Sequence, residues 1–213
     1  MEFFNSSYIF VSKYLHTMTR QKTEIRQEQI KQAVLDIIFT EGLKNLSTRN
    51  LAKHIGMSEG SIFRHFETKQ DIILSIIQDV QDEFIGALRT IANANRDPEV
   101  RLNEFLCETV HYLIANKGIT MLLFSEASHN NDETLKKNLQ VIFSSQKMLI
   151  SKIFIDGIAA GKWDESINVS NLAMIYMGIP ISINIDLVLS SNEFSSENFC
   201  SNMMQLLLKI LKR

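Results

Sequence analysis

Residues 47–69, STRNLAKHIGMSEGSIFRHFETK, constrain the fold more than any other stretch, because they set three helix starts close together. Ser47 precedes a helix over 48–55, Ser58 precedes a short one reaching about Phe66, and Thr68 precedes a long one in which Asp71 completes a capping box. Gly56 supplies the turn between the first two. Leu51, Ala52 and Ile55 share one face of the first helix and Ile62 and Phe66 one face of the second, so the pair closes over a small apolar contact. Ser61, Arg64 and His65 are left outward, with Glu59 and Gly60 at the tip. This spacing predicts a helix-turn-helix, whose second helix offers its N-terminal part to base edges in the major groove while the first lies across the backbone.

The wider segment 46–73, LSTRNLAKHIGMSEGSIFRHFETKQDII, resembles the signature of the TetR family of bacterial transcriptional regulators. The likeness extends upstream through Ile30, Ala33, Phe39 and Gly42 and fades after about Leu74. It implies a repressor that binds a palindromic operator in double-stranded DNA, responds to a small effector, and forms a homodimer through its two C-terminal helices. Some proteins resembling this fold instead recruit another protein while bound to DNA, and that is the alternative reading. Position 63 of the pattern is often a tyrosine that bonds a phosphate, a contact Phe63 cannot make.

The candidate DNA contacts are Thr48, Arg49, Lys53, Ser58, Ser61, Arg64, His65 and Lys69. Thr48, Ser61 and Arg64 are assigned to base readout, Arg64 because its fork can pair with guanine. Lys69 opposes the dipole of the helix it begins, a conflict that a phosphate bound to both the amides and the ammonium would resolve. Residues 20–75 hold nine Lys and Arg against seven Asp and Glu, and residues from 76 onward hold twelve against sixteen. The overall charge of −2 therefore conceals a slightly basic head on an acidic body.

With 213 residues, 45% of them hydrophobic, and only two prolines and eight glycines, the chain is expected to be all-α. The expected division is an N-terminal extension over 1–19, a three-helix DNA-binding head over 20–68, and a helical ligand-binding and dimerisation body over 69–213. The head's first helix is placed at about 23–40, with Ile30, Ala33, Val34, Ile37 and Ile38 as its apolar stripe and Gly42 as its stop. Residues 1–17 are apolar and aromatic but lack a basic flank; they are read as an ordered arm, or as sequence ahead of a true start at Met18.

One uninterrupted helix is expected over 69–93, then helices at 99–117, 119–127 and 132–160, the last preceded by the loop SHNND at 128–132. The two final helices, about 169–189 and 195–211, are the most apolar part of the chain, and Pro180 interrupts the first of them. In the second, Phe199, Met203, Leu206, Leu207 and Ile210 form a stripe, and Leu207 with Ile210 is assigned to the subunit interface.

Glu108, His111, Tyr112, Phe124 and Met177 are the candidate ligand contacts, with Asn116 and His129 as further polar groups. Large pliable side chains around few polar ones suit a small lipophilic effector, neutral or carrying one carboxylate. The chain contains no HExxH, P-loop, GxSxG or dinucleotide fingerprint, so no enzymatic activity, cofactor or metal is expected. Cys107 and Cys200 lack metal-ligand spacing, which points to a reduced, cytoplasmic setting, and no stretch of the sequence suits a membrane span.

Overall fold

A computed structural model describes residues 5–116, 119, 133–189 and 198–212, all of their regular structure helical. Two compact units divide the chain, Met1–Ile76 and Ile77–Arg213.

The first unit opens with α1 (Asn5–Glu41), far longer than the helix expected from about Thr23. No glycine or proline occurs before Gly42, so nothing in the backbone stops the helix from continuing toward the N-terminus. Ile30, Ala33, Val34, Ile37 and Ile38 are buried, as their stripe predicts. Gly42 ends the helix at φ 83°, a conformation costly for a side chain bearing Cβ. A 3-10 turn (Leu43–Asn45) leads to α2 (Thr48–His54) and the short α3 (Glu59–Ile62).

Between α2 and α3 the chain turns through Gly56 at φ 65°. Met57 N–H donates to the Ala52 carbonyl at 2.9 Å and Gly56 N–H to the Lys53 carbonyl at 3.4 Å, the two bonds of a Schellman stop. α4 (Lys69–Asp79) then begins at the predicted capping box. Thr68 N–H and its hydroxyl both donate to Asp71 Oδ2 at 2.8 Å, and Asp71 N–H returns a bond to Thr68 Oγ1 at 3.1 Å.

The expected single helix over 69–93 is not uniform. α4 passes into a π-helical turn at Val80–Ile85 before α5 (Gly86–Asn93). This wider turn buries the neighbouring pair Phe84 and Ile85 together with Val80.

Asp97 caps α6 (Pro98–Ala115), its side chain accepting from Glu99 N–H at 2.9 Å, and Pro98 occupies the first turn, where no N–H is needed. α7 (Glu133–Ala159), α8 (Val169–Leu189) and α9 (Phe199–Leu211) follow among the described residues of the second unit. The segment expected as a helix at 119–127 and the loop 128–132 lie outside the described residues, apart from the buried Ile119.

α6 is the centre of this unit, packed against α5, α7, α8 and α9. Phe105 meets Tyr176 edge-on at 5.9 Å, and Phe154 meets Tyr176 at 6.3 Å and Trp163 at 6.1 Å, which links α6, α7 and α8 through aromatic rings. Arg101, itself buried, donates to the last-turn carbonyl of Ala92 in α5 and to Asp156 Oδ2 in α7, both at 2.8 Å. Burial would raise the Asp156 carboxyl, but hydrogen bonds from Lys152 and Arg101 hold it below the usual carboxylate range. The guanidinium therefore caps one helix and neutralises another.

Cys107 of α6 and Cys200 of α9 are electrostatic neighbours, a proximity that spacing along the chain did not reveal. Burial first, and then the neighbouring Cys200 thiol, push the Cys107 thiol up to about 12. It therefore remains a protonated, weakly nucleophilic thiol near neutral pH.

α7 stops in a second Schellman turn, with Lys162 N–H on the Gly157 carbonyl at 3.0 Å, Gly161 N–H on Ile158 at 2.9 Å, and Gly161 at φ 67°. The turn folds Trp163 back onto Gly157, where an added Cβ would fall inside the indole ring. Gly157→Ala should destabilise the second unit by ~1–3 kcal/mol through overpacking. Because Trp163 is the sole tryptophan, its fluorescence can follow the melt, with a red-shifted emission and lower midpoint expected. An unchanged midpoint would show that the indole has another place to pack.

Candidate nucleic-acid interface and body cavity

Local caps position the candidate DNA surface. Ser47, extended at φ −129° and ψ 156°, accepts from Asn50 N–H at 3.1 Å and starts α2. Ser58, at φ −82° and ψ 151°, accepts from Ser61 N–H at 3.2 Å and starts α3. Helical bonds carry α3 onward into a turn, with Phe66 N–H on the Ile62 carbonyl at 3.1 Å. Leu51, Ala52, Ile62 and Phe66 are buried, which holds the two short helices together.

The outward set lies around this contact. Arg49, Lys53 and Arg64 are exposed, while Thr48, Ser61, His65 and Lys69 are partly covered. Ser58 and Ser61 share a hydroxyl hydrogen bond of 2.9 Å, so both are held at the start of α3. His65 is less outward than its sequence position suggests: its carbonyl accepts from Gln27 of α1 at 3.1 Å, and its Nδ1 is buried without a partner among the described residues. Phe63, 46% exposed, presents an apolar face where a hydroxyl would otherwise stand.

Glu59 was not among the residues singled out for contact. Its Oε2 accepts from the Thr48 hydroxyl at 2.9 Å, which joins the starts of α2 and α3 and commits Thr48 to a partner. An acidic residue at the tip of a helix that meets DNA is a usable signal, since a carboxylate can accept from the cytosine amino group.

In the second unit, a cavity of about 320 Å³ opens among the π turn, α6, α7 and α8. Phe84, Leu113, Phe143 and Met177 give it apolar walls, and Gln146 and Asn184 are the polar groups that line it among the described residues. Of the five residues chosen from sequence, Met177 lines it, and Tyr112 lies just behind, stacked on Phe84 at 4.2 Å and 14°. Burial, with the nearby Glu83 and Asp79 carboxylates, raises the Tyr112 phenol well above its ordinary value. Glu108 is half-buried on α6 and His111 is exposed, and neither lines the cavity. Phe124 and His129 lie outside the described residues.

A capped helix pair, an exposed Arg64 and a polar, cation-bearing face define a helix-turn-helix DNA-binding protein. Residues 32–76, the segment that holds the helix-turn-helix, match the model for bacterial regulatory proteins of the tetR family. It is similar to the nucleoid occlusion factor SlmA of Marinobacter nauticus, 26% identical over 140 residues that make up 66% of this chain and 71% of that protein.

Two solved structures share the fold. The fatty acid degradation regulator FadR of Bacillus halodurans is similar at 19% identity and a TM-score of 0.72, over 85% of this chain and 94% of that one. The ketosteroid transcriptional regulator of Mycobacterium tuberculosis is similar at 14% identity and a TM-score of 0.74, over 88% and 95%.

Proposed function

We propose that this DNA-binding regulator is a repressor that holds a palindromic operator as a homodimer and is modulated by a small, lipophilic effector bound in the second unit. The observation that carries the effector reading is the cavity walled by Phe84, Leu113, Phe143 and Met177. Phe84 belongs to the helical run that starts at Lys69, so a ligand touching it bears on the element that follows the helix-turn-helix in the chain. A coupling of ~1–3 kcal/mol along that run would change operator affinity ~5–150-fold.

Apolar side chains left in solvent on the last two helices support the dimer. Ile175, Ile179, Met203, Leu206 and Ile210 line one surface groove between α8 and α9. Leu206 is 53% and Ile210 47% exposed, whereas Leu207 is only 2% exposed and belongs to the core of its own unit. The interface assigned from sequence to Leu207 and Ile210 is therefore corrected to Leu206 and Ile210, because a helix turns by about 100° between adjacent residues.

A second reading, in which the chain works on DNA by engaging another protein and has no small-molecule effector, stands beside it, since the similar protein is named a nucleoid occlusion factor and not a repressor. Screening lipophilic compounds for thermal stabilisation, and then measuring operator affinity with each hit, separates the two. Hits that weaken operator binding support the effector; hits without effect on DNA, or none at all, favour recruitment.

In the head, Arg64→Ala should cost ~1–3 kcal/mol and relax preference at one base position, while Lys69→Ala should weaken all sequences alike and flatten the salt slope by about one unit. Salt titrations on operator and random duplex measure both, and an unchanged slope in Lys69→Ala would remove its phosphate role. On the body, Leu206→Asp with Ile210→Asp should give a folded monomer by sedimentation and lower operator affinity on the order of 100-fold, since the two heads would no longer act together. A dimeric double variant would move the interface elsewhere.

A further inference from the structure

Gln146 and Asn184 are 6% and 5% exposed, and both face a cavity that is otherwise apolar. Asn184 is fixed in orientation, because its Nδ2 donates at 2.8 Å to the Pro180 carbonyl, an atom that can only accept. Reversing the amide would set two oxygens against each other. Its Oδ1 is therefore the atom presented elsewhere, and it has no partner among the described residues.

Gln146 Nε2 is likewise buried and unpartnered among the described residues. A buried donor and a buried acceptor, each left unpaired, carry a desolvation cost that natural proteins seldom retain without use. Among the described residues, no Lys, Arg, His, Asp or Glu lines this cavity. A ligand bearing a full charge would meet no counter-charge from these described residues, in apolar surroundings where an isolated ion is strongly disfavoured.

We propose that this cavity selects an uncharged amphiphile whose polar head hydrogen-bonds the Gln146 side-chain amide and donates a hydrogen bond to Asn184 Oδ1, a primary amide or an alcohol, and that it rejects carboxylates and amines. This inference deepens the effector reading given above and rests on it for the identity of the pocket. The volume of about 320 Å³ sits at the small end of ligand sites. Taking ~30 Å³ for each water-sized unit, it holds on the order of ten to fifteen non-hydrogen atoms. Among the described lining residues Ile181 is the most exposed, at 46%, and Phe143 is partly exposed, which puts these two at the mouth and leaves the apolar part of the ligand to fill the walls. Of the acid or neutral compound left open by the sequence, the neutral one fits.

The test uses the full chain and two skeletons carrying matched heads: decanamide, 1-decanol and decanoate, and 4-butylbenzamide, 4-butylbenzyl alcohol and 4-butylbenzoate. Calorimetric titration at neutral pH should give binding of the amide or alcohol at least about tenfold tighter than the carboxylate on one skeleton or both, the discrimination expected when a buried polar pair is satisfied in one case and opposed in the other. Gln146→Met keeps the side-chain shape and removes the donor. It should raise the melting temperature of the unliganded protein and lower amide affinity about tenfold.

Carboxylate binding as tight as amide binding, or no binding by any of the six probes, would overturn the assignment. So would a Gln146→Met protein that melts lower and binds the amide unchanged, since the amide would then be serving the fold. No DNA enters these measurements. Selective binding of amide or alcohol that leaves operator affinity untouched would remove the effector reading while the head-group assignment stood.

Discussion

Satisfaction of backbone groups at helix ends is the constraint on which the head depends. α3 is four residues long and far below the length at which a helix persists alone. It exists because the Ser58 hydroxyl accepts from Ser61 N–H, the Gly56 turn closes the carbonyls of the helix before it, and Ile62 is buried, as are Leu51 and Ala52. The Thr68–Asp71 box then starts α4 within a few residues. Remove any of these and Arg64 loses the fixed direction that a base contact requires. The same devices that make the fold legible therefore make the surface usable.

The second unit is organised differently, around packing and one buried cation. Arg101 and the aromatic set Phe105, Phe154, Trp163 and Tyr176 tie α5, α6, α7 and α8 into one frame, and the cavity lies among the π turn, α6, α7 and α8. Two departures from plain helix border it. The π turn brings Phe84 to its wall, and Pro180 lies on α8 one turn before Asn184, whose amide is pinned to the Pro180 carbonyl. Irregular helix and unpaired polar atoms in one place are the marks of a site, where local consistency is given up for binding.

Much of the head was legible in the sequence, because caps and glycine stops are local signals. Ser47, Ser58, Thr68 with Asp71, and Gly56 each act within a few residues of themselves, and each appears where it was read. The start of α1 was not legible, since the absence of a breaker between Asn5 and Gly42 is a weaker cue than a cap. In the body, periodicity found the helices but not their absolute rotation. A turn of about 100° separates buried Leu207 from exposed Leu206, and the wide stripe on α9 gave no way to choose between them. His111 and Gln146 illustrate the same gap: a histidine conspicuous in sequence faces solvent, and a glutamine hidden in a helix lines the cavity. What makes Gln146 notable is the lack of a partner for its buried Nε2 among the described residues, a property of tertiary structure alone.

The central claim is that capped helices α2 and α3 present a sequence-reading surface, two copies at a time. It is tested most directly by selecting duplexes bound by the full chain from a random pool and footprinting the enriched sequence. The account predicts an inverted repeat with half-sites ~10 base pairs apart, or a multiple of that, protected on both strands. Enrichment of a single unpaired half-site, or no enrichment over the starting pool, would contradict it.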